Sequence, residues 1–176
     1  METPTNSPPN TADIEYHIAG GEHLDPALYK EARSLTWSRI EDEDGEEFHP
    51  DQLPDQQMVH GTVWAIAKSE GKVVGAGFVR PPLAEDTFSN SMIDESVELD
   101  EVAVHEEHDR KGIGSEMLKL LEKEIKELGH EALHAYPVTV ESYDFLTNNG
   151  FTHADPELKK TREDLPMLHK RVGANS

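Results

Sequence analysis

"AVHEEHDRKGIGSEMLKLLEKEIKELG", residues Ala103 to Gly129, holds the end of a strand, a charged turn with two glycines, and a helix. Ile113, Met117, Leu120, Leu121, Ile125 and Leu128 recur at helical spacing and predict one apolar stripe, with Gly129 as the stop. The helix opens on Gly112-Ile113-Gly114, so the amides at its mouth have little side-chain bulk in front of them. An anion suits that geometry, and phosphate is the usual one. A strand, a tight glycine turn and a helix are also the plain entry of any αβ unit, so this stretch alone leaves both readings open.

Working outward, "DIEYHIAG" (residues 13–20) alternates Ile14, Tyr16 and Ile18 with polar neighbours and predicts a half-buried strand. Asp25 as N-cap and Pro26 at the first helical position start a helix. Residues 36–60 are acidic and proline-punctuated and read as an irregular loop with at most one short helix. Two strands follow, joined at Glu70-Gly71, and Gly75 and Gly77 in the second point to a bulge or a close backbone approach. "VELDEVAV" (residues 97–104) is a third strand with Val97, Leu99, Val102 and Val104 facing inward. After the long helix come a strand in "EALHAYP", a helix in "TVESYDFLTNNG", and strands in "FTHAD" and "PMLHKRV". The order predicts a single α/β (α+β) domain over residues 13–172, a mixed central sheet flanked by helices, behind a disordered tail at 1–12.

The chain has 36 Asp and Glu against 16 Lys and Arg, a net charge of −20. A surface of that sign repels nucleic acid and anionic membranes, so neither is expected as a partner. The diffuse spread of carboxylates favours adaptation to a salty cytoplasm, and the run at 41–47, "EDEDGEE", keeps attraction of a cationic acceptor open. No stretch approaches the ~20 apolar residues of a membrane span, no secretory signal is evident, and a cytoplasmic location is expected. There is no cysteine, which excludes disulfides and a thiol nucleophile. Ten histidines raise a metal site, but His130 and His134 fall on loop and strand, and His105 and His108 lack a third ligand in register, so no metal is expected. Trp37 and Trp64 read as packing residues, Trp37 also as a candidate wall of an acceptor pocket.

"LDEVAVHEEHDRKGIGSEMLKLLEKEIKELG", followed at this separation by "SYDFLTNNGF", resembles the GNAT superfamily of acetyl-CoA-dependent N-acetyltransferases. The resemblance covers roughly residues 13–172. It implies that the glycine turn, Arg110, Lys111, Gly112, Ile113, Gly114 and Ser115, cradles the diphosphate of coenzyme A. It also implies that Val102, Ala103 and Val104 lie along the pantetheine arm, through a V-shaped opening between this strand and the next. Thr139, where the family often has Asn, and Phe145 belong to the same cofactor set. Two positions depart from the pattern. Asp109 stands where the family has Arg or Gln, and Leu146 where it has the Tyr that protonates the thiolate. Tyr143, one turn earlier, is the substitute candidate.

By the same resemblance, an amine attacks the thioester directly. Glu98 is the candidate general base acting through water, with an acidic surface residue as its plain alternative, and the Val102 N–H is the oxyanion donor. The acceptor is a small-molecule or peptide amine, its pocket built by loops 36–60 and 81–96. A non-catalytic acyl-CoA-binding module is the second class. An unrelated nucleotide-binding protein is the third, disfavoured because no Gly-Lys-Ser/Thr loop exists and Met117 stands where a dinucleotide fingerprint needs its third glycine. Oligomeric state is open, a homodimer included.

Overall fold

The computed structural model describes residues 13–38, 61–80, 96–153 and 165–173. The expected tail at 1–12, most of both acceptor loops and the 41–47 acidic run lie outside the described residues. Seven strands form one mixed sheet: β1 (Ile14–Gly20), β2 (Val63–Ser69), β3 (Lys72–Arg80), β4 (Ser96–Val104), β5 (Ala132–Ala135), β6 (Thr152–His153) and β7 (Leu168–Arg171). Their order is β1-β2-β3-β4-β5-β7-β6, and the β4–β5 pair is parallel. Helix α1 (Pro26–Ser38) packs on one face; α2 (Ile113–Glu127) packs on the other, where α3 (Val140–Asn148) sends Leu146 into the same core.

Local chemistry starts and stops these elements. Asp25 Oδ1 accepts from the Ala27 and Leu28 amides at 3.0 and 3.2 Å, capping α1. The helix runs through Ser38, so residues 36–38, expected in the loop, are helical; Thr36 is buried and bonds back to the Arg33 carbonyl. The β2–β3 turn places Glu70 and Gly71 at φ 50° and 77°, the left-handed pair of a two-residue hairpin. Thr139 caps α3 in a reciprocal box with Ser142, each side chain accepting from the other's amide at 3.1 Å.

Two cores result. On the α1 face Trp64 stacks on Phe78 with centroids 4.4 Å apart and meets Tyr29 edge-on, its Nε1 donating to Thr62. The Trp37 side chain lies outside the described set. On the α2 face Val97, Leu99 and Leu133 meet Ile113, Met117, Leu118, Leu121 and Ile125. The stripe therefore takes Leu118, while Leu128, past the end of α2, is 58% exposed. Gly75 lets α2 lie close on the sheet, since a Cβ there would stand 3.0 Å from the Met117 methyl and 3.1 Å from Ile113. Bulges interrupt both registers of β3, at Val74 on β3 itself and at Asp100 on the facing β4.

Candidate active site

The bulge at Asp100 decides which side chains of β4 share a face. Val97 and Leu99 enter the α2-side core, and Glu98 between them faces α1. Without a bulge, Val102 and Val104 would turn outward. The extra residue restores both to the α2 side and sends Glu101 to the α1 side, where Arg33 Nη1 donates to its Oε2 at 3.2 Å.

Among the described residues, the β5-facing side of β4 has no strand partner beyond Glu98. The His105 amide donates to the Val74 carbonyl at 2.8 Å. Antiparallel pairing alternates, so Ala103 and Glu101 bond to β3, while Val102 and Val104 turn their N–H and C=O toward β5. Among the described residues β5 pairs with β4 only at Ser96, Val97 and Glu98, after which the strands diverge. The resulting V has its apex at Glu98 and one polar edge at Val102–Val104. That edge leads to the mouth of α2.

At that mouth Gly112 is the N-cap, at φ 78° and with no side-chain cap, and Arg110 is also left-handed at φ 60°. A left-handed Arg costs roughly 1–2 kcal/mol, a strain that clusters at ligand-holding turns. A Cβ on Gly112 would meet nothing within 4 Å, so the space before the amides is open. Gly114 has a different reason: its Cβ would stand 3.2 Å from the Phe145 ring and 3.7 Å from Val102. The second glycine thus also lets α2 lie close to α3. An open depression of about 580 Å³ adjoins the mouth, bounded by Tyr16, Lys111, Ser115 and Lys119 among others. Burial, with the Glu116 carboxylate adding to it, pushes the Tyr16 phenol up.

The structure thus brings Val102, Ala103, Val104, Arg110–Ser115 and Phe145 along one continuous edge. Thr139 spends its hydroxyl on the α3 cap. Tyr143 is not brought to the V. It stands two helical positions from Phe145, about 200° of rotation, and its hydroxyl lies 2.5 Å from His153 Nε2 on β6, with β5 and β7 between that strand and β4. Leu146 is buried in the core. Asp109 closes the short turn at Glu106–His108, and the N-cap of α2 is Gly112.

At the apex, Glu98 is 7% exposed. Arg80 Nη2 stands 2.6 Å from its Oε2, and Arg80 Nε donates to Asp100 at 2.9 Å. His134, paired with Glu98 across the parallel ladder, has Nε2 4.0 Å from the same oxygen, and its Nδ1 is 2.6 Å from Ser96 Oγ. Sequence reasoning missed Arg80, Ser96, His134 and Glu101. Alternation with Leu133 was a signal that His134 leaves the α2-side core; nothing local announced Arg80.

Burial is the main cause holding the Glu101 carboxyl above the ordinary carboxylate range. Arg33 opposes it, Asp100 adds to it, and a hydrogen bond with Thr36 opposes it. A carboxyl raised in the folded state gains stability from protonation, and that gain is lost as pH rises through the folded value. Glu101→Gln, uncharged at any pH and still an acceptor for Arg33, is therefore expected to melt higher than the wild type at pH 7. Calorimetry in molar KCl should show this advantage shrinking as pH falls; an advantage that grows in acid contradicts the account.

The acetyltransferase (GNAT) family model matches residues 28–151, and the chain belongs to that family. No curated protein sequence matches. Among solved structures, an acetyltransferase of the GNAT family from Staphylococcus aureus Mu50 is similar at TM-score 0.64 and 15% identity, covering 90% of this chain and 99% of that one. The PaiA N-acetyltransferase of Thermoplasma acidophilum, in complex with coenzyme A, is similar at TM-score 0.61 and 17% identity over 90% and 98%. An aminoglycoside 6'-N-acetyltransferase complexed with coenzyme A is similar at TM-score 0.64 and 14% identity over 91% and 99%. At these identities the likeness speaks for the fold, and the coenzyme A in two of them agrees with acetyl-CoA as the expected cosubstrate.

Proposed function

We propose that this chain moves an acetyl group from acetyl-CoA to an amine by direct attack, in a protein adapted to high salt. The carrying observation is the unpaired edge of β4, running from the V to the uncapped mouth of α2. In this reading the amides of Gly112–Ser115 and the helix dipole receive the diphosphate, with Arg110 and Lys111 adding charge. Val102 and Val104 receive the pantetheine amides as a neighbouring strand would, with Ala103 between them turned to β3. Phe145 and Thr139 flank the arm from α3. The Val102 N–H holds the developing oxyanion, and Glu98 takes the proton of the acceptor ammonium through water. With its hydroxyl beside His153 Nε2, Tyr143 is not given the role of thiolate acid in this reading.

That placement, with Leu146 in the core, favours a second reading: a module that binds acyl-CoA without turning it over. Thiol release from acetyl-CoA across a panel of small and peptide amines, in molar KCl, separates the two. Salt matters because self-repulsion at −20 opposes the compact state. Release with at least one amine is expected. Stabilisation by acetyl-CoA without release selects the second reading, and neither effect removes both.

A further inference from the structure

Behind Glu98, on the side away from Arg80, lies a buried polar pair that the acetyl transfer described above does not use. Ser96 is 3% exposed and His134 2%, with Oγ and Nδ1 2.6 Å apart. Burying two polar side chains at the apex of the V costs free energy that two apolar residues would not. We propose that Ser96 and His134 are positioning residues for Glu98: the Ser96 hydroxyl donates to Nδ1, fixing the tautomer whose Nε2–H faces the Glu98 carboxylate. This inference rests on the reading of Glu98 as the base.

Glu98 Oε2 then lies between the Arg80 guanidinium at 2.6 Å and the imidazole at 4.0 Å. A separation of 4.0 Å is beyond hydrogen-bond length, and a small rotation or one water closes it. Arg80 is itself shared with Asp100, and the imidazole offers the carboxylate a second polar group from the β5 side. Among the described residues His134 also neighbours His169, its register partner on β7, and Tyr136, edge-on with centroids 5.8 Å apart. A donor aimed at a carboxylate favours its ionised form, the form that accepts a proton.

The test uses the full chain, with the amine that gives the fastest thiol release in the panel. His134→Asn removes the donor at the Nε2 position, while His134→Gln places an amide N–H near it. His134→Asn is expected to lower kcat roughly tenfold, the worth of one hydrogen bond to a charged group, with KM for acetyl-CoA unchanged and the acid limb of the pH profile moved to higher pH. His134→Gln restores most of both. Nitrogen-15 spectra of labelled histidine should show the Nε2–H tautomer for His134 in the wild type and lose it in Ser96→Ala. A wild-type pH profile in His134→Asn, equal damage in both His134 variants, or an Nδ1–H tautomer overturns the proposal. Full turnover by Glu98→Gln would instead overturn the reading beneath it.

Discussion

Gly112→Asp abolishes the rise in melting temperature that acetyl-CoA gives the wild type, and the double variant Gly112→Asp with Gly114→Asp does the same. At a hundredfold excess over Kd, a ligand that binds the folded state adds about 2.7 kcal/mol, roughly 5–10 °C for a domain of this length. The single variant is the cleaner test. Among the described residues a Cβ on Gly112 meets nothing within 4 Å, so the added carboxylate can be placed at the helix mouth without overpacking. Its cost is the left-handed backbone at φ 78°, and an acid at a helix N-terminus offsets part of that. Gly114→Asp also drives a Cβ against Phe145, 3.2 Å away, and overpacking of that kind costs about 1–3 kcal/mol. The double variant therefore melts lower before any ligand is added. An unchanged acetyl-CoA shift in Gly112→Asp removes the cradle.

Glu98→Gln lowers kcat by roughly 10²–10³, within the range for loss of a general base, while acetyl-CoA binding stays as it was. Gln keeps the shape and an acceptor for Arg80, so the Arg80–Asp100 contact and the apex survive. The comparison must span pH 6 to about 10, since a slower base is masked wherever the free amine is already abundant. Wild-type kcat across that span would leave Glu98 as a counter-ion of Arg80.

Much of the frame was legible along the chain. Asp25-Pro26, Glu70-Gly71 and the Gly112–Gly129 unit each act within a few residues, and each sits where its chemistry put it; the Thr139 cap is equally local and went unread. Leu118 and Leu128 show the limit. Periodicity marks an apolar face, but which residue fills it depends on where α2 stops and what the sheet offers. Glu101 carried no signal, because its burial depends on Arg33 of α1, 68 positions earlier.

Residue chemistry alone determined the element order, the mixed αβ class and the glycine turn, since propensity, capping and hydrophobic period are short-range. Tertiary structure decided the rest. A single extra residue at Asp100 turned β4 so that Glu98 and Glu101 share a face, the divergence after Glu98 freed the Val102–Val104 edge, and insertion of β7 between β5 and β6 drew the Tyr143 hydroxyl away from the V. Strand pairing joins segments far apart in the chain, and a shift of one residue reverses every side chain beyond it; no local pattern encodes that register.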